Sequence, residues 1–160
     1  MPTVEYTTRV PAPLADVWAW HEDIYDAFLA LVPPDQQVEL VKAEPLPPRV
    51  GTIVEIKTKV PVLGWKPWIA EYVGHEPPNE NGEAWFIDRS NEGPFKHWNH
   101  KHHFKSEGNE TVLTDSIHYT PPFGPIGWVA DKLLIRRQLN AMFAYRHKVT
   151  REKFSGVGSR

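Results

Sequence analysis

Apolar and polar residues alternate from Val4 to Val10, with Val4, Tyr6, Thr8 and Val10 set against Glu5, Thr7 and Arg9. That period of two predicts a strand with one buried face. Pro11 and Pro13 stop it, after which Leu14 to Asp23 reads as a short helix and Ile24 to Leu31 as a second, ended by Pro33 and Pro34. From Val38 onward the pattern changes to strand-like runs separated by proline, glycine and asparagine. They cover Val38 to Ala43, Thr52 to Val60, Trp68 to His75, Glu83 to Ser90, Phe95 to Lys105 and Thr111 to Thr120. The turn formers between Ser106 and Glu110 predict that the last two runs pair as a hairpin.

Beyond the breaker Pro121 to Pro125, the stretch from Ile126 to about Phe154 has no proline, and no glycine after Gly127, so it predicts one long terminal helix. On a wheel of about 100° per residue, Trp128, Ile135, Leu139, Met142, Phe143 and Val149 fall on one broad side, which should face the sheet. Arg146 falls in the middle of that side. A guanidinium there needs a partner, whether a structural carboxylate, solvent beyond the helix end or the anionic group of a ligand. Arg136, Arg137, His147 and Lys148 read as ordinary surface charges that complement the helix dipole.

The order strand, two short helices, six strands and a long helix predicts an α+β domain over residues 1–154, with 155–160 a frayed tail. No internal repeat or linker divides the chain. Its 160 residues suffice for one hydrophobic core. A net charge of −2 offers no field for phosphate backbones, so nucleic acid is not an expected partner. The chain has no cysteine, which removes disulfides, thiolate nucleophiles and cysteine-based zinc sites. The opening residues lack a signal-peptide pattern and no run is long enough to span a membrane, so the expectation is a cytoplasmic protein without stable membrane insertion. Seven tryptophans supply large rigid walls suited to a core or a pocket.

Four of the eight histidines lie between Gly93 and Phe104. Strand alternation separates them: Trp98, His100, His102 and Phe104 share one face, while His97 and His103 point to the other. A His-x-His pair gives two metal ligands, but a site needs a third, and the nearest candidate by sequence is Asp115 on the next strand. No metal and no cofactor are therefore expected. Instead, hairpin closure should set His100 or His102 opposite Asp115 on an inward face with Leu113, Ile117 and Tyr119. Such a His/Asp pair can fix a tautomer in the core. Together with Tyr119 and Arg146 it can also form the polar end of an aromatic cavity that holds or activates a carbonyl or carboxylate. The sequence contains no GxSxG, P-loop, HExxH, CxxC or GxGxxG motif.

The segments GPFKHWNHKHHF and TVLTDSIHYTPPFGPIG, and a helix ending in MFAYRHKVTREKF, resemble those of SRPBCC proteins, the START-like helix-grip superfamily. The opening VEYTTRVPAPLADVWAWHED is similar to that group's first strand and helix, so the resemblance covers nearly the whole chain. Within the superfamily it is nearest to a bacterial subgroup labelled cell-division-inhibitor-like. The resemblance implies a helix-grip fold: a curved antiparallel sheet of about seven strands wrapped around the C-terminal helix, with a cavity for a hydrophobic or amphipathic small molecule. Superfamily members include lipid carriers, hormone receptors and polyketide cyclases, and fold does not choose among them.

The facing argument assigns Trp98, His100, His102, Asp115, Ile117, Tyr119, Trp128, Leu139, Met142 and Arg146 to that cavity. Three functions compete for it. The first is a carrier or sensor of an amphipathic ligand. The second is a cyclase- or dehydratase-like enzyme in which the His/Asp pair moves protons without a metal. The third is a cell-division-related regulator with a protein partner, which should expose an apolar patch around Pro121 to Trp128.

Overall fold

The computed structural model describes residues 2–156. The tail expected at 155–160 therefore lies outside the described residues beyond Gly156. The first strand is β1 (Thr3–Val10), followed by helices α1 (Leu14–Glu22) and α2 (Ile24–Leu31). Six more strands follow: β2 (Val38–Glu44), β3 (Ile53–Val60), β4 (Gly64–Glu76), β5 (Glu83–Glu92), β6 (His97–Glu107) and β7 (Glu110–Thr120). They form one seven-stranded antiparallel sheet in the order β1-β7-β6-β5-β4-β3-β2. This is the helix-grip architecture.

Strand β4 starts four residues before the predicted run and passes through Pro67. Strand β5 pairs with it only from Ile69, so Pro67 sits where one flank of the strand is open and its missing N–H is tolerated. The β6–β7 hairpin closes through Gly108 and Asn109, with Glu107 opposite Glu110. Gly108 adopts φ +62°, a conformation that a two-residue turn requires and glycine supplies without strain.

The terminal helix begins at α3 (Gly124–Ala130), runs through a π-helical segment (Asp131–Ile135) and continues as α4 (Arg136–Phe154). The π segment inserts one residue into the turn, which rotates everything before it relative to a uniform 100° wheel. Trp128 consequently faces away from the face predicted for it and is 43% exposed, while Asp131 turns inward and is buried. Phe123, Ile126, Val129, Leu133 and Leu134 are exposed as well. Of these, Phe123 and Ile126 lie within the stretch Pro121 to Trp128, and the others follow it. No helix among the described residues is long and apolar enough to cross a membrane.

Helix α4 crosses the sheet and is fixed at several points. Phe143 stacks on Tyr6 of β1 at 4.8 Å with an 8° interplanar angle. Tyr6 donates its hydroxyl proton to Asn140 Oδ1 at 2.6 Å, and Arg151 Nη1 donates to Thr8 Oγ1 at 2.7 Å. Leu139 and Phe143 pack with Trp98, Ile117 and Tyr119 at one end of the sheet. At the other end Leu14, Val17 and Trp18 of α1 pack with Phe86, Phe104 and Leu113. Each buried aromatic or aliphatic side chain contributes on the order of 1.5–3 kcal/mol. Between these two clusters the sheet and α4 stand apart.

Candidate functional site

The cavity between the clusters has a volume of about 190 Å³. Helix α2 closes one side with Ile24, Ala27, Phe28 and Leu31, and the adjoining loop adds Pro33 and Gln36. The sheet contributes Val54, Ile56, Trp68, Ala70 and Trp98, and α4 contributes Met142. Apart from Gln36 these residues make an apolar wall. The polar groups gather at one end, in His21, Tyr72, Asp88, His100, His102 and Arg146.

Strand register builds that polar end. Asp88 of β5 pairs with His100 of β6, and Phe86 pairs with His102. His102 also lies directly across from Asp115 of β7. Side chains directly opposite in an antiparallel pair have Cβ atoms about 4.5–5.5 Å apart, so two carboxylates and two imidazoles share one face. The rings stack into a column across three strands. Tyr72 lies on Phe86 at 5.1 Å, Phe86 on His102 at 3.9 Å, and His102 on His100 at 3.6 Å.

Asp115 stands behind the column and off the cavity wall. His100 Nε2 donates to its Oδ1 at 2.7 Å, and His102 Nδ1 lies 3.2 Å from the same oxygen. His147 Nε2 donates to its Oδ2 at 2.6 Å. Burial pushes the Asp115 carboxyl up, but the three histidine partners outweigh it and hold the group well below the usual carboxylate range. Asp88 Oδ2 accepts from His102 Nε2 at 2.9 Å. Against the upward push of burial, that bond and the charges of His100, His102 and Arg146 keep Asp88 ionised.

The two imidazoles are shifted in opposite directions. Burial and the neighbouring His102 depress the His100 pKa more than Asp115 and Asp88 raise it. Burial opposes charge on His102 too, but hydrogen bonds to Asp115 and Asp88 on opposite ring nitrogens outweigh it, and its pKa is raised. His21, also on the wall, is driven down to about 4, chiefly by burial. Its Nδ1 donates to the Val17 carbonyl at 2.7 Å.

Arg146 reaches this end of the cavity with its guanidinium 5.3 Å over the Phe143 ring. Among the described residues that guanidinium has no hydrogen bond and no ion pair. Burial lowers its pKa, while the charges of Asp115 and Asp88 pull it back up. An arginine keeps its charge under such conditions. A cation thus faces an apolar chamber without a bonded partner.

Of the residues assigned by sequence, Trp98, His100, His102, Met142 and Arg146 line the cavity. Ile117 and Leu139 are packed in the neighbouring core cluster. Tyr119 is also in that cluster, and its hydroxyl donates to Asp131 at 2.5 Å, so it adds no polar group to the chamber. Trp128 lies outside for the helical reason given above. His147, read from sequence as a surface charge, is buried at 6% exposure.

Asp88, Tyr72 and His21 are cavity residues the sequence reading did not single out. Asp88 had a signal, since it continues the inward alternation of Ala84 and Phe86. His147 had one too, four residues after Phe143 and eight after Leu139 on the same helical stripe.

The fold is shared with proteins of little sequence similarity. TTHA0849 from Thermus thermophilus is 20% identical with a TM-score of 0.64, the match covering 93% of this chain and 97% of that one. CV1439 from Chromobacterium violaceum is 12% identical with a TM-score of 0.67, covering 96% and 98%. Norcoclaurine synthase from Thalictrum flavum, solved in complex with dopamine and hydroxybenzaldehyde, is 16% identical with a TM-score of 0.60, covering 94% and 87%. No curated protein matches the chain. Residues 10–143 match the family model described as polyketide cyclase / dehydrase and lipid transport. From the end of β1 to Phe143 of α4, then, the chain carries the pattern of that family, and the protein belongs to it.

Proposed function

We propose that this protein binds an amphipathic small molecule, as a carrier or sensor, with the ligand's apolar body among Trp68, Trp98, Ile56 and Phe28 and an anionic or carbonyl end on Arg146. The observation that carries this reading is the guanidinium that faces the chamber without a hydrogen bond or ion pair among the described residues. A ligand carboxylate, sulfonate or phenolate would supply what the protein does not. Trp98, His100, His102 and Met142 belong to the proposed binding wall, and Asp115 supports it from behind by holding His100 and His102. The likeness to the cell-division-inhibitor-like subgroup, resting on Gly93 to Tyr119 and Phe143 to His147, is part of the same proposal.

The test uses two fluorescent probes of similar size, the anionic 8-anilinonaphthalene-1-sulfonate and the neutral N-phenyl-1-naphthylamine. Arg146→Leu should weaken the anionic probe about tenfold or more and change the neutral one by less than about threefold, as expected for one desolvated charge pair. Equal effects on both probes would remove Arg146 from the reading.

A second reading, proton transfer on a bound carbonyl compound, is favoured by His100. Asp115 holds its Nε2–H and leaves Nδ1, the other ring nitrogen, with a lone pair at the cavity end. A general base needs that arrangement. Deuterium exchange at the α-carbon of a cavity-bound ketone, followed by NMR, should be accelerated by the protein and not by His100→Gln. No acceleration by the unmodified protein would end this reading.

A further inference from the structure

Three atoms that could ligate a metal ion converge at the polar end of the cavity. Asp88 Oδ2 lies 2.9 Å from His102 Nε2 and 3.7 Å from His100 Nδ1, and the three residues each offer a ligand atom within 4.8 Å of the other two. The remaining nitrogen of each ring is committed to Asp115 Oδ1, by His100 Nε2 at 2.7 Å and His102 Nδ1 at 3.2 Å. Because Asp115 holds the proton on each of those nitrogens, loss of the proton that His102 Nε2 donates to Asp88 would turn both imidazole lone pairs toward Asp88. A metal cation can take the place of that proton and be shared by all three atoms. A proton serves only the 2.9 Å pair and leaves His100 Nδ1 without a donor among the described residues.

We propose that Asp88, His100 and His102 form a binding site for a divalent first-row metal ion, opening onto the cavity, with Asp115 as the outer carboxylate that orients both imidazoles. Two imidazoles and a carboxylate are donors suited to zinc or ferrous iron, whereas calcium and magnesium favour all-oxygen shells. Ligand bonds of about 2.0–2.1 Å in a tetrahedral site set donors about 3.3 Å apart, a value the distances of 2.9 and 3.7 Å bracket. The donors need little rearrangement, because Asp88 and His100 are cross-strand partners and His102 follows on the same face.

The outer shell is equally built. A metal-bound histidine characteristically donates its second N–H to a carboxylate, and here one carboxylate receives both. Asp115 is itself fixed by His147 from α4 at 2.6 Å. Three protein ligands leave a fourth position, and the open side of this cluster is the chamber, where a ligand's oxygen would reach the ion. Asp88 supplies the third ligand that the sequence sought in Asp115. The site does not depend on the Arg146 reading, since binding of the ion requires no organic ligand and Arg146 is not a donor.

The experiment titrates the chelator-treated protein with Co2+, reading the visible d–d absorption, and then displaces Co2+ with Zn2+. One equivalent should bind per chain with micromolar or tighter affinity. Asp88→Asn and His100→Gln should each weaken it more than about thirtyfold, and Asp115→Asn about 10–100-fold through loss of imidazole orientation. His118→Gln, an exposed histidine elsewhere on β7, should leave it unchanged. Far-UV circular dichroism establishes that each variant is folded, and a zinc-dependent rise in the melting temperature of the unmodified protein gives a readout free of mutation. Absence of Co2+ binding and of the zinc-dependent rise in the unmodified protein would overturn the proposal. So would stoichiometric binding that persists in folded Asp88→Asn and His100→Gln.

Discussion

His147 on the C-terminal helix and Asp115 on the last strand are joined by a 2.6 Å hydrogen bond, and the other oxygen of the same carboxylate holds the histidines at the cavity end. One buried group therefore couples the seating of the helix to the geometry of the site. Asp115→Ala would leave three imidazoles without their acceptor and should cost about 3–5 kcal/mol in urea unfolding, in line with breaking a buried charged network. His147→Phe keeps the ring but orphans one carboxylate oxygen, and should cost about 1–3 kcal/mol. A loss below about 0.5 kcal/mol for Asp115→Ala, on the order of a surface substitution, would show that the network does not hold the helix.

Acid should weaken the fold in two separate windows. His21 is held neutral by burial, its pKa driven down to about 4, so below the ordinary histidine value of about 6.5 the unfolded chain takes up a proton that the folded chain refuses. Stability is then full above about pH 6.5 and falls as pH drops toward about 4, by at most about 3 kcal/mol from this residue. Asp88 and Asp115, held low, add their loss only below the ordinary carboxylate range, about pH 4. Urea unfolding between pH 7 and 4.5 should show the first slope in the unmodified protein and a flatter one in His21→Phe. An unchanged slope would assign the sensitivity elsewhere.

Gly127 is fixed by a close approach and not by its backbone angles. A Cβ placed there would lie 1.7 Å from the carbonyl oxygen of Pro122, a backbone atom that cannot step aside without moving the entry to α3. Gly127→Ala should destabilise the protein by about 2–3 kcal/mol, the upper range for overpacking. A melting temperature unchanged within about 1 °C would mean that the Pro121–Phe123 segment yields freely.

Filling the chamber should separate binding from stability. Ala70 sits on the cavity wall in β4, opposite Val54 of β3, and a phenylalanine there enters empty space on a strand that favours aromatic residues. Ala70→Phe should lower binding of both fluorescent probes about tenfold or more and change unfolding free energy by less than about 1 kcal/mol. Retained probe binding would locate the probes outside the chamber.

Much of this architecture was legible in the chain. Alternation marked the strands, prolines bounded them, and the uninterrupted run after Gly127 marked the terminal helix, because local backbone preferences and the burial of one face act over a few residues. The same alternation put His100, His102 and Asp115 on one inward face, and the wheel put Met142 and Arg146 toward the sheet, since neither inference needs more than the pitch of a single element.

Tertiary structure decided what those groups do for one another. The π segment at Asp131–Ile135 turned Trp128 outward and gave Tyr119 a partner in Asp131, an outcome no uniform helical wheel contains. The pairing of β5 with β6 brought Asp88 against His100 and His102, and the packing of α4 on the sheet buried His147 against Asp115. Whether an imidazole is neutral or charged, and whether a carboxylate faces the chamber or stands behind it, depends on distances of roughly 3–4 Å, the range of hydrogen bonds and ion pairs, between elements far apart in sequence. Those distances are set by strand register and helix docking, which is why the sequence could name the inward residues and only the folded chain could divide them into wall, support and core.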